Sequence, residues 1–290
     1  MENSSPFSNQ RIIFAGFGTL GKVCLEALVK NDWKIALVLT HKDDTDSSLS
    51  SYCRNLGINQ SLEDARKSKL LRQQISSLGV VDFIVSINYR YILPMAVLSG
   101  AKTAFNIHGS LLPQYRGRTP HVWAIINGES EAGVTAHIMT DKVDAGDIIT
   151  QTRIPIEELD TGYALLKKYE SAYPACLIES LRILQAGKQL TPQSTVQGSY
   201  FGKRTADMGY IDFRLPGLAV INFIRAQAKP YPGAYAFFPD GSKVIVHRAV
   251  FAGQRMGGHE KLVGQLFFEN KKLYVHCSDA VIEFVEFEIT

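Results

Sequence analysis

The chain has 290 residues, 46% of them hydrophobic and 20% charged, with a formal net charge of +3. That length suits one large domain plus a small one with ample buried core, and the composition excludes disordered and fibrous classes. So small a net charge gives no electrostatic footprint for a nucleic-acid partner.

Residues 1–10 read as a disordered leader; the opening Met1-Glu2-Asn3-Ser4-Ser5-Pro6 has neither the basic nor the apolar region of a secretory signal. Arg11–Ala15 is a predicted buried strand, turned by Gly16 and Gly18 into a helix with Leu20, Val23, Leu25, Leu28 and Val29 at its apolar positions. Ile35–Leu39 follows as a strand, residues 42–51 as a polar loop, Val80–Val85 as a strand, and Leu93–Leu98, around Pro94, as a short helix. Alternating strands and helices predict an α/β unit with a mostly parallel sheet.

Gly16-x-Gly18-x-x-Gly21 has the spacing of a dinucleotide fingerprint. That fingerprint also wants an acidic residue closing the second strand. Here Leu39 is followed by Thr40 and His41, with Asp43 and Asp44 only later. The glycines therefore read first as a tight strand-to-helix turn, with nicotinamide binding as the rival.

Thr103–Ile107 is a strand running straight into His108. Asn106 and His108, two apart, point to the same side. The Gly-, Pro- and Arg-rich run after them cannot continue the strand. Both are therefore expected at a strand end facing a loop-lined cleft, where α/β sheets bind ligands; a polar strand end with Asn106 in a turn bond is the alternative. Val134–Met139 alternates as a half-buried strand would. Thr140–Asp147 is a compact acidic loop that suits a solvated turn and lacks the register of a calcium loop. Residues 162–186 form a long helix pattern ending at Gly187, and 188–205 read as a linker. Beyond 210 the chain turns aromatic. Ala234–Phe238, Lys243–Ala249, Leu262–Phe268, Lys272–Cys277 and Val281–Ile289 predict a small antiparallel β-module. Cys24, Cys53, Cys176 and Cys277 form no CxxC pair and read as reduced core residues, not zinc ligands. No stretch approaches the roughly 18 apolar residues of a membrane span, so a cytoplasmic protein is the expectation.

The run FNIHGSLLPQYRGRTP (Phe105–Pro120), then HVWAIINGE (His121–Glu129), GVTAHIM (Gly133–Met139) and VDAGDII (Val143–Ile149), resembles the folate-dependent formyltransferases. That family includes glycinamide ribonucleotide, methionyl-tRNA and nucleotide-sugar formyltransferases. The likeness covers about residues 11–205 in order, and RAQAKPYPGAYAFF (Arg225–Phe238) resembles the subgroup acting on amino sugars and on methionyl-tRNA. The resemblance implies a Rossmann-like α/β catalytic domain over 1–205 and a smaller β-rich, OB-like domain over 206–290. It implies a catalytic trio of Asn106, His108 and Asp144. It implies 10-formyltetrahydrofolate as co-substrate, with no metal, in a pocket lined by Ser86–Leu93 (SINYRYIL) and the loop Thr140–Asp144. Ser86, Tyr89, Ile92, Asp141 and Asp144 are its expected contacts, although Tyr89 and Ile92 would serve equally as core packing. The glycine turn is structural in the family.

Formyl transfer is an acyl transfer through a tetrahedral oxyanion, so it needs an oxyanion donor, a base and an acid. An Asn amide donates without competing as a base; one such donor is worth about 3–4 kcal/mol. An imidazole titrates near neutrality and suits proton transfer. Asp144 would orient His108 or steer a proton through water.

The expected acceptor is the primary amine of a nucleotide-linked amino sugar, serving cell-surface polysaccharide (lipopolysaccharide) synthesis. The alternative is methionyl-tRNA. From Ala206 to Thr290 there are nine Lys/Arg and nine Asp/Glu, a balance of zero, whereas a tRNA-binding module should be basic. Arg116 and Arg118 would meet a diphosphate with their guanidinium forks, or else pair with acids of their own domain. Tyr231 and Tyr235 would stack on the base or line the sugar pocket, with domain-interface packing the rival for Tyr235. The oligomeric state stays open, a homodimer among the options.

Overall fold

The structure, a computed structural model, describes residues 10–42, 48–193, 197–254 and 262–290. The expected leader, except Gln10, lies outside the described residues, as do Asp43 and Asp44. The chain forms two compact units: Met1–Arg116, Gly133–Ile154 and Tyr169–Tyr200 in the first; Gly117–Ala132, Pro155–Lys168 and Phe201–Thr290 in the second.

The first unit is built on a seven-stranded sheet. Its strands are β1 (Arg11–Gly16), β2 (Lys34–Leu39), β3 (Gln60–Ser61), β4 (Val81–Ile87), β5 (Ala101–His108), β7 (Glu131–Ile138) and β8 (Ile148–Pro155), in the order β3-β2-β1-β4-β5-β7-β8. The short β6 (Arg116–Gly117) and β9 (Tyr200–Phe201) form a separate two-stranded ladder. β1 to β5 pair in parallel, and β7 runs antiparallel to β5. β1 and β4 are near-continuous buried apolar runs, as strands covered on both faces must be. Ile13, Ala15, Leu37, Leu39, Val81 and Ile84 form one side of the core. The strands after β1 step outward to β3, and the chain returns to β4 on the other side of β1. Such a reversal is where open α/β sheets bind ligands, and β5 ends beside it.

The connecting helices are α1 (Gly18–Lys30), α2 (Leu49–Asn55), α3 (Lys69–Ser77), α4 (Met95–Leu98) and the long α6 (Gly162–Gln185), whose end lies where the pattern puts it. Two expectations are corrected. Part of the loop 42–51 is helix: the Ser48 side chain accepts a hydrogen bond from the Ser51 N–H and caps α2, so its serines serve a helix start. β7 is not half-buried; all six inner residues are buried, because it is an internal strand between β5 and β8. The Gly16–Gly21 turn is explained by packing: Gly18 has φ +65°, and a Cβ on Gly21 would lie 3.1 Å from the Gly16 carbonyl carbon.

The second unit carries a five-stranded sheet of β10 (Ala234–Phe237), β11 (Lys243–Gln254), β12 (Leu266–Glu269), β13 (Lys272–His276) and β14 (Ala280–Ile289), in the order β10-β11-β14-β13-β12. All its pairings are antiparallel. Helix α7 (Gly217–Ala226) packs on β11 and β14, burying Val220 and Ile224 with Val246, Leu273 and Phe284. Helix α5 (Pro120–Ile126) packs against α7, so the unit draws its helices from distant stretches. The architecture is the expected one, a Rossmann-like α/β unit and a β-rich one. All four cysteines are free and buried; burial raises each thiol, Cys53 and Cys176 to about 11 and Cys277 to about 12.

Candidate active site

The carboxyl end of β5 delivers Asn106 and His108 to one place. Beyond it the chain is held against the sheet. Tyr169 donates from its hydroxyl to the Gly109 carbonyl at 2.9 Å, and Leu112 N–H donates to Thr135 Oγ1 at 3.1 Å. The loop so formed ends at Tyr115, whose φ of +57° is left-handed.

His108 Nε2 lies 2.9 Å from the Tyr115 carbonyl oxygen. A carbonyl only accepts, so this nitrogen carries the proton and Nδ1 keeps its lone pair. Nδ1 faces Asp144 Oδ2 at 3.7 Å. Burial, the largest influence, lowers the His108 pKa; the Asp144 charge and the Tyr115 carbonyl oppose it.

Asn106 donates from Nδ2 to His137 Nε2 at 3.2 Å, and His137 Nδ1 donates to the Ile138 carbonyl at 3.0 Å. That second bond fixes the His137 tautomer, which in turn fixes which end of the Asn106 amide is the donor. His137 Nε2 also lies 3.5 Å from Asp144 Oδ1. The strand register explains the meeting: Asn106 sits opposite His137, and His108 opposite Thr135. His108, His137 and Asp144 are 8%, 2% and 8% exposed. The structure thus brings Asn106, His108 and Asp144 together and adds His137, which the sequence reading passed over. Its signal was the Thr135, His137 alternation, which acquires meaning only once β7 is known to pair with β5.

Asp144 is itself left-handed, φ +53°. Its loop lies close on β7, so that a Cβ on Gly146 would collide with the Ile138 carbonyl. Arg116 binds this loop: Nε donates to the Asp144 carbonyl at 3.0 Å, and Nη2 to Gln193 Oε1 at 2.9 Å. Gln193 donates in turn to the Gly146 carbonyl at 2.6 Å.

Of the expected folate contacts, Ser86 is buried and pairs in register with Asn106. The Tyr89 ring stacks on His41 at 4.6 Å, and burial pushes its phenol up to about 12; its hydroxyl is buried with no partner among the described residues. Ile92 is 64% exposed, and Asp141 is exposed in the acidic loop. His41, where a dinucleotide fold keeps its acid, accepts from the Arg90 N–H at 3.0 Å. Among the described residues no group of three or more His, Cys, Asp or Glu is arranged to hold a metal ion.

Arg118, Tyr231 and Tyr235 belong to the second unit. Arg118 is exposed. The Tyr231 hydroxyl lies 3.0 Å from His121 Nε2, and burial raises the phenol to about 12 and lowers His121 to about 4. Tyr235 donates from its hydroxyl to the Asp207 carbonyl at 3.1 Å and lies under the Lys243 ammonium at 4.1 Å.

The fold is shared with solved structures. WlaRD, a sugar 3N-formyl transferase solved with dTDP and 5-N-formyl-THF, is 21% identical, with a TM-score of 0.74 over 95% of this chain and 97% of that one. An N-formyltransferase from Helicobacter canadensis, in complex with folinic acid and dTDP-3-aminofucose, is 23% identical, with a TM-score of 0.73 over 95% and 98%. A sugar N-formyltransferase from Shewanella sp FDAARGOS_354 is 22% identical, with a TM-score of 0.65 over 82% and 96%. At such identities the likeness is one of fold. The family relationship rests on two sequence models, formyl transferase over residues 10–181 and formyl transferase, C-terminal domain, over residues 203–290. The first spans the strands that carry Asn106, His108 and His137 and the loop that carries Asp144, the second spans the β-rich module, and the chain belongs to the formyl transferase family.

Proposed function

We propose that this enzyme moves a formyl group from 10-formyltetrahydrofolate to the primary amine of a nucleotide-linked amino sugar. The observation that carries the reading is the cluster of half-buried Asn106 with buried His108, His137 and Asp144 at the carboxyl end of β5. Two solved structures of the same fold, one described as a sugar 3N-formyl transferase with dTDP and 5-N-formyl-THF and the other as an N-formyltransferase with folinic acid and dTDP-3-aminofucose, support this reading.

The amine attacks the formyl carbon, and the carbonyl oxygen gains charge. Asn106 uses one amide proton on His137; its second is available to that oxygen, a stabilisation typically worth about 3–4 kcal/mol. The attacking nitrogen must lose a proton. His108 Nε2 is committed to Tyr115, so Nδ1 is the accepting atom. Asp144, beside Nδ1, stabilises the imidazolium formed there. His108 then returns the proton to the departing folate nitrogen as the tetrahedral species collapses, so the cycle closes without an enzyme-bound acyl group.

Among the described residues no helix is long and apolar enough to cross a membrane. We assign the reaction to the cytoplasm, feeding cell-surface polysaccharide synthesis, because nucleotide linkage is the activated form of a sugar awaiting transfer. The test is a panel of nucleotide-linked amino sugars and aminoacylated initiator tRNA, each incubated with 10-formyltetrahydrofolate and read by mass spectrometry. One or more sugar nucleotides should gain a formyl group. Formylation of the tRNA alone would overturn the reading.

A further inference from the structure

Two residues of the candidate site adopt left-handed backbone without being glycine: Tyr115, φ +57°, whose carbonyl holds His108, and Asp144, φ +53°. Such conformations are strained for residues other than glycine and persist only when their surroundings over-determine them. The stretch following α6, read from sequence as a linker, supplies those surroundings. Its described residues 188–193 and 197–199 are not a free tether. Thr191 and Ile148 exchange both backbone hydrogen bonds, at 2.8 and 2.9 Å. Gln193 is 4% exposed. Its amide accepts from Arg116 Nη2 at 2.9 Å and donates to the Gly146 carbonyl at 2.6 Å, while Arg116 Nε holds the Asp144 carbonyl at 3.0 Å. Ser199 accepts twice: its hydroxyl from Tyr115 N–H and its carbonyl from Arg116 N–H, each at 2.9 Å. Gly198 approaches so closely that a Cβ there would lie 2.5 Å from the Pro113 carbonyl.

We propose that this stretch is a brace of the active site, with Gln193 as its principal positioning residue: through Arg116 and the Gly146 carbonyl it holds the Asp144 loop, and through Ser199, which accepts from the Tyr115 and Arg116 N–H groups, it holds the peptide whose carbonyl orients His108. The assignment rests on the reading that His108 and Asp144 act in formyl transfer. It makes Arg116 a positioning residue, its guanidinium directed at protein carbonyl and amide oxygens. A surface linker would tolerate exchange at Gln193. A brace would not, because small displacements of a catalytic group are costly, up to roughly a hundredfold per ångström.

The test compares Gln193→Met, which keeps the volume and removes both hydrogen bonds, with Gln193→Glu, which keeps a partner for Arg116 and loses the donor to Gly146. Asp144→Ala is the control. Gln193→Met should lower kcat about tenfold or more, with KM for both substrates within about twofold. The acid limb of its kcat profile should move to lower pH, because an Asp144 carboxylate displaced from His108 Nδ1 raises the His108 pKa less. Gln193→Glu should recover part of the lost kcat. If Gln193→Met does not fold, Gln193→Glu decides alone by the same kcat, KM and pH criteria, measured against wild type. The brace is overturned if kcat and acid limb stay at wild-type values while Asp144→Ala is inactive, or if KM rises as much as kcat falls. An active Asp144→Ala would instead overturn the functional reading beneath it.

Discussion

At the scale of single residues, His108 is a donor on one nitrogen and a candidate base on the other. Its pKa lies below the ordinary imidazole value of 6.5, chiefly through burial. Above that folded value Nδ1 is free to accept a proton, and as pH falls through it the base is lost. The acid limb of kcat at saturating substrates should therefore fall below pH 6.5. Asp144→Asn removes an influence that raises this pKa, so its limb should lie lower still. His108→Ala should lower kcat by about a hundredfold or more, the usual weight of a positioned proton-transfer group. A limb at or above 6.5, or a His108→Ala variant with more than half the wild-type turnover, would refute these roles.

At the scale of elements, the parallel strands were legible because β1, β2 and β4 are near-continuous apolar runs between turn residues, and β5 was legible from its abrupt end at Asn106 and His108. Other elements were not. The α2 start hid in a serine-rich segment where each serine suits a loop as well as a cap. The continuous burial of β7 was unreadable because Thr135 and His137, polar by type, are satisfied by partners in and just beyond β5, the Ser110 carbonyl and the Asn106 amide, that sequence does not display. His137 and Gln193 escaped for the same reason: their partners, Asn106 and Arg116, are 31 and 77 residues away. The loop between β7 and β8 supplies a sharp test. Gly146→Ala places a methyl group against the Ile138 carbonyl, and overpacking of this kind costs about 1–3 kcal/mol. The melting temperature should drop by a few degrees and kcat should fall with it, since Asp144 moves with the loop. An unchanged kcat with a lowered melting temperature would separate Asp144 from Gly146.

At the scale of the whole molecule, each unit is assembled from three stretches of chain. Chain order suggested a division near 205, but α5, with Val122, Ala124 and Ile125 buried, completes the second unit by packing on α7. Arg204 lies over Trp123 at 4.9 Å, and the Trp123 indole donates to the Gly202 carbonyl at 3.0 Å. A fragment of residues 1–205 would thus keep α5 without α7 and bare an apolar face. It should bind a hydrophobic dye and aggregate where the full chain stays monodisperse. A fragment that melts cooperatively and binds no dye would show that α5 needs no such cover.

The four buried cysteines make the native surface chemically silent towards thiol reagents, since a thiol that is both covered and hard to ionise attacks slowly. A cysteine placed by mutation at Asp141 or Arg118, both exposed, would be the one fast-reacting sulfur on the molecule. A fluorophore or spin label could then report on the acidic loop, or on the second unit, with no native cysteine first removed.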